Sequence, residues 1–330
     1  MPRRPFIAAC AAVALLVAVA LSLAIGSRPI GLATVWDALV RLDPSDPEQL
    51  IVHDLRLSRT VIGVLAGGAL AVAGALMQAL THNPFADPGL LGINAGASLA
   101  VVIALALGVG GFALQVPFAF GGAALAAVVV YAIGARGAAA GAPVRLALAG
   151  VALATLLTSV TYAVLLVDEA TLEQYRLWVA GSLTGRQSDD VAALVPLVLA
   201  AVAAALLASR RLQAVALGED AARALGVNIA TTRAIVIVLV TLLAASATAA
   251  AGPLVFVGLA VPHLARALVG ASLPWLLATS ALGGAALVLV CDVVGRIVAP
   301  PSEIGVGITT AFVGGLVFAL MARRMKVAGL

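Results

Sequence analysis

Residues 60–97 read TVIGVLAGGALAVAGALMQALTHNPFADPGLLGINAGA. From Thr60 to Ala86 there is no Asp, Glu, Lys or Arg, and a bilayer core needs about 20 predominantly apolar residues per helix. The run ends in Asn83-Pro84, and Asp87-Pro88 follows at once; each proline disfavours helix in the residue before it. The stretch therefore reads as a membrane-crossing helix, a tight turn and the start of a second crossing.

The rest of the chain repeats this pattern. Of its 330 residues 63% are hydrophobic and 10% charged, with a mean hydropathy of +1.16, which leaves too few polar groups to cover a water-soluble globule. Eight stretches lack charged residues: Pro5-Ser27, Thr60-Ala86, Pro88-Ala135, Leu146-Val167, Val191-Ser209, Ala234-Ala265, Ala267-Cys291 and Ile304-Ala322. Two exceed one crossing. Pro88-Ala135 holds two spans with a break near Gly108, Gly110, Gly111 and Pro117, and Gly252-Pro253 divides Ala234-Ala265 into a full span and a shorter or broken one. The expectation is an all-α polytopic membrane protein with about ten transmembrane helices, folded as a single transmembrane domain over residues 1–330.

An even number of crossings puts both ends on one side. Arg3 and Arg4 precede the first span, and Arg323, Arg324 and Lys326 follow the last, so both ends read as cytoplasmic. That topology places 12 of the 19 basic residues inside, Arg136, Arg145, Arg210, Arg211, Arg233 and Arg266 among them. A cleaved leader would leave an odd number of crossings, so the first apolar run reads as a retained span, and the IAAC at 7–10 as a chance likeness to a lipoprotein box. The net charge of +4 is explained by cytoplasmic loops beside anionic lipid, which dismisses nucleic acid as a partner.

Chemistry of the chain's own is not indicated. Cys10 and Cys291 are the two cysteines, and His53, His82 and His263 fall in separate segments, so neither a disulfide framework nor a metal site is expected. A phosphate-binding loop needs a lysine and Lys326 is the single one, so ATP and its magnesium would be bound by another chain and no cofactor by this one. An ion-coupled secondary transporter should hold ionisable groups at membrane depth, yet the spans are uncharged and carry glycines instead: Gly63, Gly67, Gly68, Gly74, Gly92, Gly96, Gly283 and Gly284, the residues of close helix packing. A non-transporting structural or receptor membrane protein is the remaining alternative to a translocation pathway driven from outside the chain.

Four separated motifs carry a resemblance: LRLSRTVIGVLAGGALAVAGALMQALTHNPFADPGLLGINAGA, GEDAARALGVN, GPLVFVGLAVPHLAR and CDVVGRIVAPPSEIGVGITTAFVGGLVF. In this order they resemble the FecCD-type permeases of bacterial ABC importers for iron-siderophores and cobalamin, over nearly the whole chain. Two departures are visible: Ser58 stands where the family usually has Pro, and Phe85 where Leu is usual. The motif turns are Asn83, Pro84, Asp87 and Pro88, then Gly252 and Pro253, then Pro262 and His263.

The resemblance implies a type II ABC-importer permease fold, a second permease subunit (a copy or a paralogue), two cytoplasmic ATPase subunits and a periplasmic or lipid-anchored solute-binding protein, working by alternating access. The charged island from Ser209 to Arg233 would be the segment that seats on the ATPase. Its docking residues would be Gly218, Glu219, Asp220, Ala221, Ala222, Arg223, Leu225 and Gly226. Glu219 and Asp220 suit a helix N-terminus, Gly226 suits the left-handed residue that stops it, and Ala221, Ala222 and Ala224 form a small-residue face. On the outer side Arg56, Arg59 and Arg296 would meet acidic residues of the solute-binding protein. Arg56 and Arg59, one helical turn apart, would share a face, while Arg296 can also pair with Asp292 at i,i+4. A ferric siderophore is the expected cargo, with cobalamin or haem next.

Overall fold

The computed structural model describes residues 3–26, 29–109, 111–134, 142–185, 188–216, 218–299 and 302–324, and every regular element among them is helical. Arg136 and Lys326, counted above among the inside charges, lie outside the described residues. Seven helices are long and apolar enough to cross a membrane, and three shorter apolar helices bring the number to the expected ten.

The spans are α1 (Arg3–Ala24), α4 (Leu57–Thr81), α5 (Ile93–Ala106), α6 (Phe112–Gly134), α7 (Ala142–Leu165), α9 (Ser188–Ala216), α11 (Ile229–Ala251), α12 (Val257–Val269), α13 (Leu273–Val298) and α14 (Val306–Arg324). Between them lie four short helices: α2 (Leu32–Val40), α3 (Pro47–Leu50), α8 (Glu169–Val179) and α10 (Glu219–Ala224). A π-helical turn, Ile51–Arg56, leads into α4. Pro117, expected in the break after α5, lies inside α6 instead, and the break falls between Ala106 and Phe112. Its place in the first two turns of α6 explains the tolerance, since few upstream carbonyls there await an N–H.

The α4 and α11 helices are buried over most of their length, whereas α1 and α7 are buried over less than a fifth, so α4 and α11 form the centre. Glycine allows the close approaches around them. A Cβ on Gly67 would overlap the Gly284 carbonyl oxygen of α13, one on Gly74 would overlap the Gly258 carbonyl oxygen of α12, and Gly96 and Gly122 meet likewise between α5 and α6. In lipid, where lipid-facing and core-facing side chains are equally apolar, such backbone contact is what holds helices together.

The side carrying the chain termini gathers the start of α1 and α13 with the ends of α4, α9 and α12. Arg4 Nε donates to Val269 O, and Leu273 N donates to Gln213 Oε1. The far side gathers the end of α1, the start of α4 and the end of α13. There α8 is capped by Asp168, whose carboxylate accepts from Ala170 N and the Thr171 hydroxyl. The Thr171 hydrogen bond holds that carboxyl below the usual range.

Candidate functional site

Two interrupted segments meet inside the bundle. The α11 helix ends on the far side at Gly252, whose φ of 77° and nearness to the Trp178 carbonyl oxygen, 2.6 Å from where a Cβ would stand, both require glycine. Residues 252–255 then run without helical structure to Phe256, a left-handed residue at φ 68° that opens α12. The start of α12 lies well inside the bundle, because Gly314 of α14 packs under Phe256 and Gly74 of α4 under Gly258. Backbone outside a helix is tolerated at membrane depth only when protein or a water-filled cavity surrounds it. Pro262 lies within α12, buried, with His263 partly exposed beside it.

The turn quoted at the outset reaches the same place. Asn83 Oδ1 accepts from Phe85 N at 2.9 Å, and Asp87 Oδ1 accepts from Gly89 N at 2.7 Å, so each residue before a proline closes its own small turn. Pro88–Leu91 forms one 3-10 turn that ends at left-handed Gly92. Pro88 and the Asp87 carboxylate lie against Gly258, and the Leu90 carbonyl oxygen occupies the space a side chain on Gly150 of α7 would need. Phe85 stands edge-on to Phe318, which also meets Phe256, with ring centroids 5.9 and 6.2 Å apart. The departure from Leu at position 85 thus puts a ring into an aromatic contact joining the turn, α12 and α14.

Beside that junction a groove of about 490 Å³ opens along α7, with Gly89 and Leu90 at one edge and Thr155, Thr158, Ser159 and Tyr162 along its wall. Sequence reading did not single these residues out. Their signal was available: hydroxyls at i, i+3, i+4 and i+7 share one helical face in an otherwise apolar run.

The charged island forms the expected short helix, α10. Gly226 is left-handed at φ 73°, with Gly226 N donating to Arg223 O and Val227 N to Ala222 O, the two bonds of a Schellman stop. Gly218 precedes Glu219 at φ 113°. Asp220 pairs with Arg223 at 2.9 Å on the open surface, where Ala221 and Leu225 are also exposed. Ala222 is a correction. It is fully buried with Val215, Val227 and Ile229, so it anchors α10 to its own chain and is not on the outward face.

The three outer arginines require a second correction. They do not line one exposed face: Arg56 and Arg296 are buried, and 11% of the Arg59 side chain is accessible. Wider winding in the π-helical turn rotates Arg56 out of register with α4, so it donates to Leu23 O at 2.7 Å and lies over Gly26. Arg59 grips Asp292 through Nε and Nη2 and reaches Glu303 through Nη1, each closest approach being 2.7 Å. Arg296 meets the same Asp292 and donates to Ser22 O and Ile25 O. Arg59 and Arg296 thus share Asp292, with Glu303 on Arg59, in a network that ties α1, α4 and α13 together, and Arg56 fastens the start of α4 to the end of α1 beside it.

Interrupted helices that meet inside an apolar bundle beside an open groove are an arrangement suited to a membrane permease. The comparisons agree. The model of the FecCD transport family matches residues 14–324. The ferric enterobactin transport system permease protein FepD of Escherichia coli is 45% identical over 316 residues, covering 96% of this chain and 94% of that protein. The Fe(3+)-citrate import system permease protein YfmD of Bacillus subtilis is 39% identical, covering 92% and 90%, and the hemin transport system permease protein HmuU of Yersinia pestis is 34% identical, covering 92% of each. A solved metal-chelate type ABC transporter in an inward-facing conformation superposes with a TM-score of 0.85 at 26% identity, covering 97% of this chain and all of that one. The chain belongs to the FecCD transport family: it is a multi-pass ABC-importer permease subunit, and ATP hydrolysis belongs to partner chains.

Proposed function

We propose that the chain imports a ferric siderophore across the bacterial inner membrane, with its termini and α10 in the cytoplasm. The observation that carries a translocation role is the groove along α7 beside the break between α11 and α12. It is open along one flank, so a second subunit, a copy or a paralogue, completes the conduit. Iron chelates present oxygen acceptors, which the Thr158 and Tyr162 hydroxyls can meet without binding the cargo tightly, while Thr155 and Ser159 already donate to Val151 O and Thr155 O. Iron chelates are also the cargo named for FepD and YfmD, and haem, named for HmuU, is the next candidate together with cobalamin.

In this reading two ATPases seat on α10 of the paired subunits. Their closure is carried through the Ala222 anchor into α9 and α11, while a solute-binding protein delivers cargo at the far side. The buried arginine network around Asp292 and Glu303 lies at that side. Arg59 and Glu303 are its most accessible members, so they are the groups a docking protein's carboxylates could engage.

The test is uptake of a ferric siderophore by the reconstituted complex. Leu225→Asp or Gly226→Val should lower ATP-driven uptake by roughly tenfold or more, the size of an ordinary coupling free energy, while receptor binding persists. Unaltered uptake in both variants, or uptake by the permease alone on an ion gradient, refutes the assignment.

A further inference from the structure

A second cavity, of about 340 Å³, lies between the terminus-side ends of α4, α9, α12 and the start of α13. Its polar lining is Gln78, His82, Gln213 and Arg266, and none of its lining residues is acidic. The arginines buried at the far side all have partners. Arg266 is half-buried, and its guanidinium has no hydrogen-bond or ion-pair partner among the described residues. A cation removed from water without a counter-ion is costly, so this placement calls for an anion from outside the chain.

Of the remaining polar groups, Gln213 and His82 can donate to an anion. Gln213 Oε1 accepts from Leu273 N, which directs its amide N–H groups away from that bond. His82 stops α4 in a left-handed conformation, φ 53°, that keeps its ring at the surface. Gln78 donates to Leu259 O at 3.2 Å and its Oε1 is a buried acceptor without a partner among the described residues, so it belongs to the wall and is not an anion ligand. Leu273 and Ala79 supply apolar surface, and the volume falls in the range of small-molecule sites.

We propose that this cavity binds a phosphate group, with Arg266 as the charged ligand and Gln213 and His82 as further donors. The location rests on the topology proposed above, which puts the cavity at the cytoplasmic headgroup level, where basic pockets between helix ends take anionic lipids. The phosphate can therefore belong to an anionic phospholipid or be free in the cytoplasm.

The experiment uses the full chain, delipidated in neutral detergent. Thermal unfolding is followed by tryptophan fluorescence, for which Trp275 on α13 is a nearby reporter. One arm adds phosphatidylglycerol or phosphatidylcholine of matched chains, and the other adds inorganic phosphate or chloride at equal ionic strength. A rise in the midpoint with phosphatidylglycerol alone identifies a lipid headgroup; a rise with inorganic phosphate as well identifies a soluble phosphate. In either case Arg266→Gln should weaken the apparent affinity roughly tenfold or more, and Arg266→Lys should restore part of it. Gln213→Leu, which keeps the arginine, should weaken it less, and serves if Arg266→Gln does not fold. The proposal is overturned if neither probe shifts the wild-type chain, or if wild type and Arg266→Gln shift alike. Because no transport is measured, this outcome is independent of the uptake test, and failed uptake with intact phosphate binding would overturn only the proposed function.

Discussion

Replacing Asp292 with Asn separates a structural network from a free docking patch. Asp292 is 1% exposed and receives Arg59 through two nitrogens and Arg296 through a third. At an effective dielectric constant of about 20, two unit charges about 4 Å apart attract by about 4 kcal/mol. Asn keeps the shape and loses both attractions, while Glu303 remains as the counter-ion and small rearrangements recover part of the loss. Removing one member of a buried ion pair costs about 3–5 kcal/mol. At about 2 °C per kcal/mol for a chain of this size, the unfolding midpoint in detergent should fall by roughly 6–10 °C. The fall should be largely insensitive to salt, because buried pairs are screened little. A companion variant replacing Arg59, Asp292 and Arg296 together with Met, Leu and Met should recover most of it, since apolar substitutes for a complete buried pair are often neutral. A midpoint change below about 2 °C for Asp292→Asn, under 1 kcal/mol, would refute the network and return the arginines to an exposed, water-screened role.

Gly74→Val should push α4 and α12 apart, because its Cβ would overlap a backbone carbonyl oxygen that no rotamer change can move; a loss of about 1–3 kcal/mol or more is expected in the same assay. Gly121→Val on α6, where nothing lies within 4 Å, is the matched control and should not lower the midpoint. At the cap of α8 the Asp168 carboxyl is held below its ordinary value, so its stabilising effect is present above the ordinary carboxylate pKa and lost as pH falls through the lowered one. Protection factors of residues 169–172, which remove the intrinsic pH dependence of exchange, should therefore fall in acid in the wild type, and should be lower and independent of pH over that range in Asp168→Ala.

The sequence by itself determined about how many apolar helices there are and most of the places where they break, Pro117 inside α6 being the exception. In hydrocarbon every backbone polar group must be satisfied within its own segment, so an uncharged run of sufficient length is a helix whatever its neighbours do. For the same reason Gly252-Pro253 and the Asn83 to Pro88 turn were legible, and so was Gly226, whose positive φ depends on three or four local residues. Helices α2 and α8 were missed because they lie outside the apolar runs on which that reading depended. Tertiary structure alone decided which faces meet. Arg59 finds Asp292 across 233 residues, and nothing near either residue announces it. A π-helical turn turns Arg56 inward although its i,i+3 spacing suits a shared face, and Ala222 is buried although its neighbours Ala221 and Leu225 are not. The meeting of the Pro88 turn with the start of α12 needed glycines on α4, α7 and α12 at matched depths. Lipid constrains each segment separately, but charge partners and close backbone contacts exist only once the segments are packed.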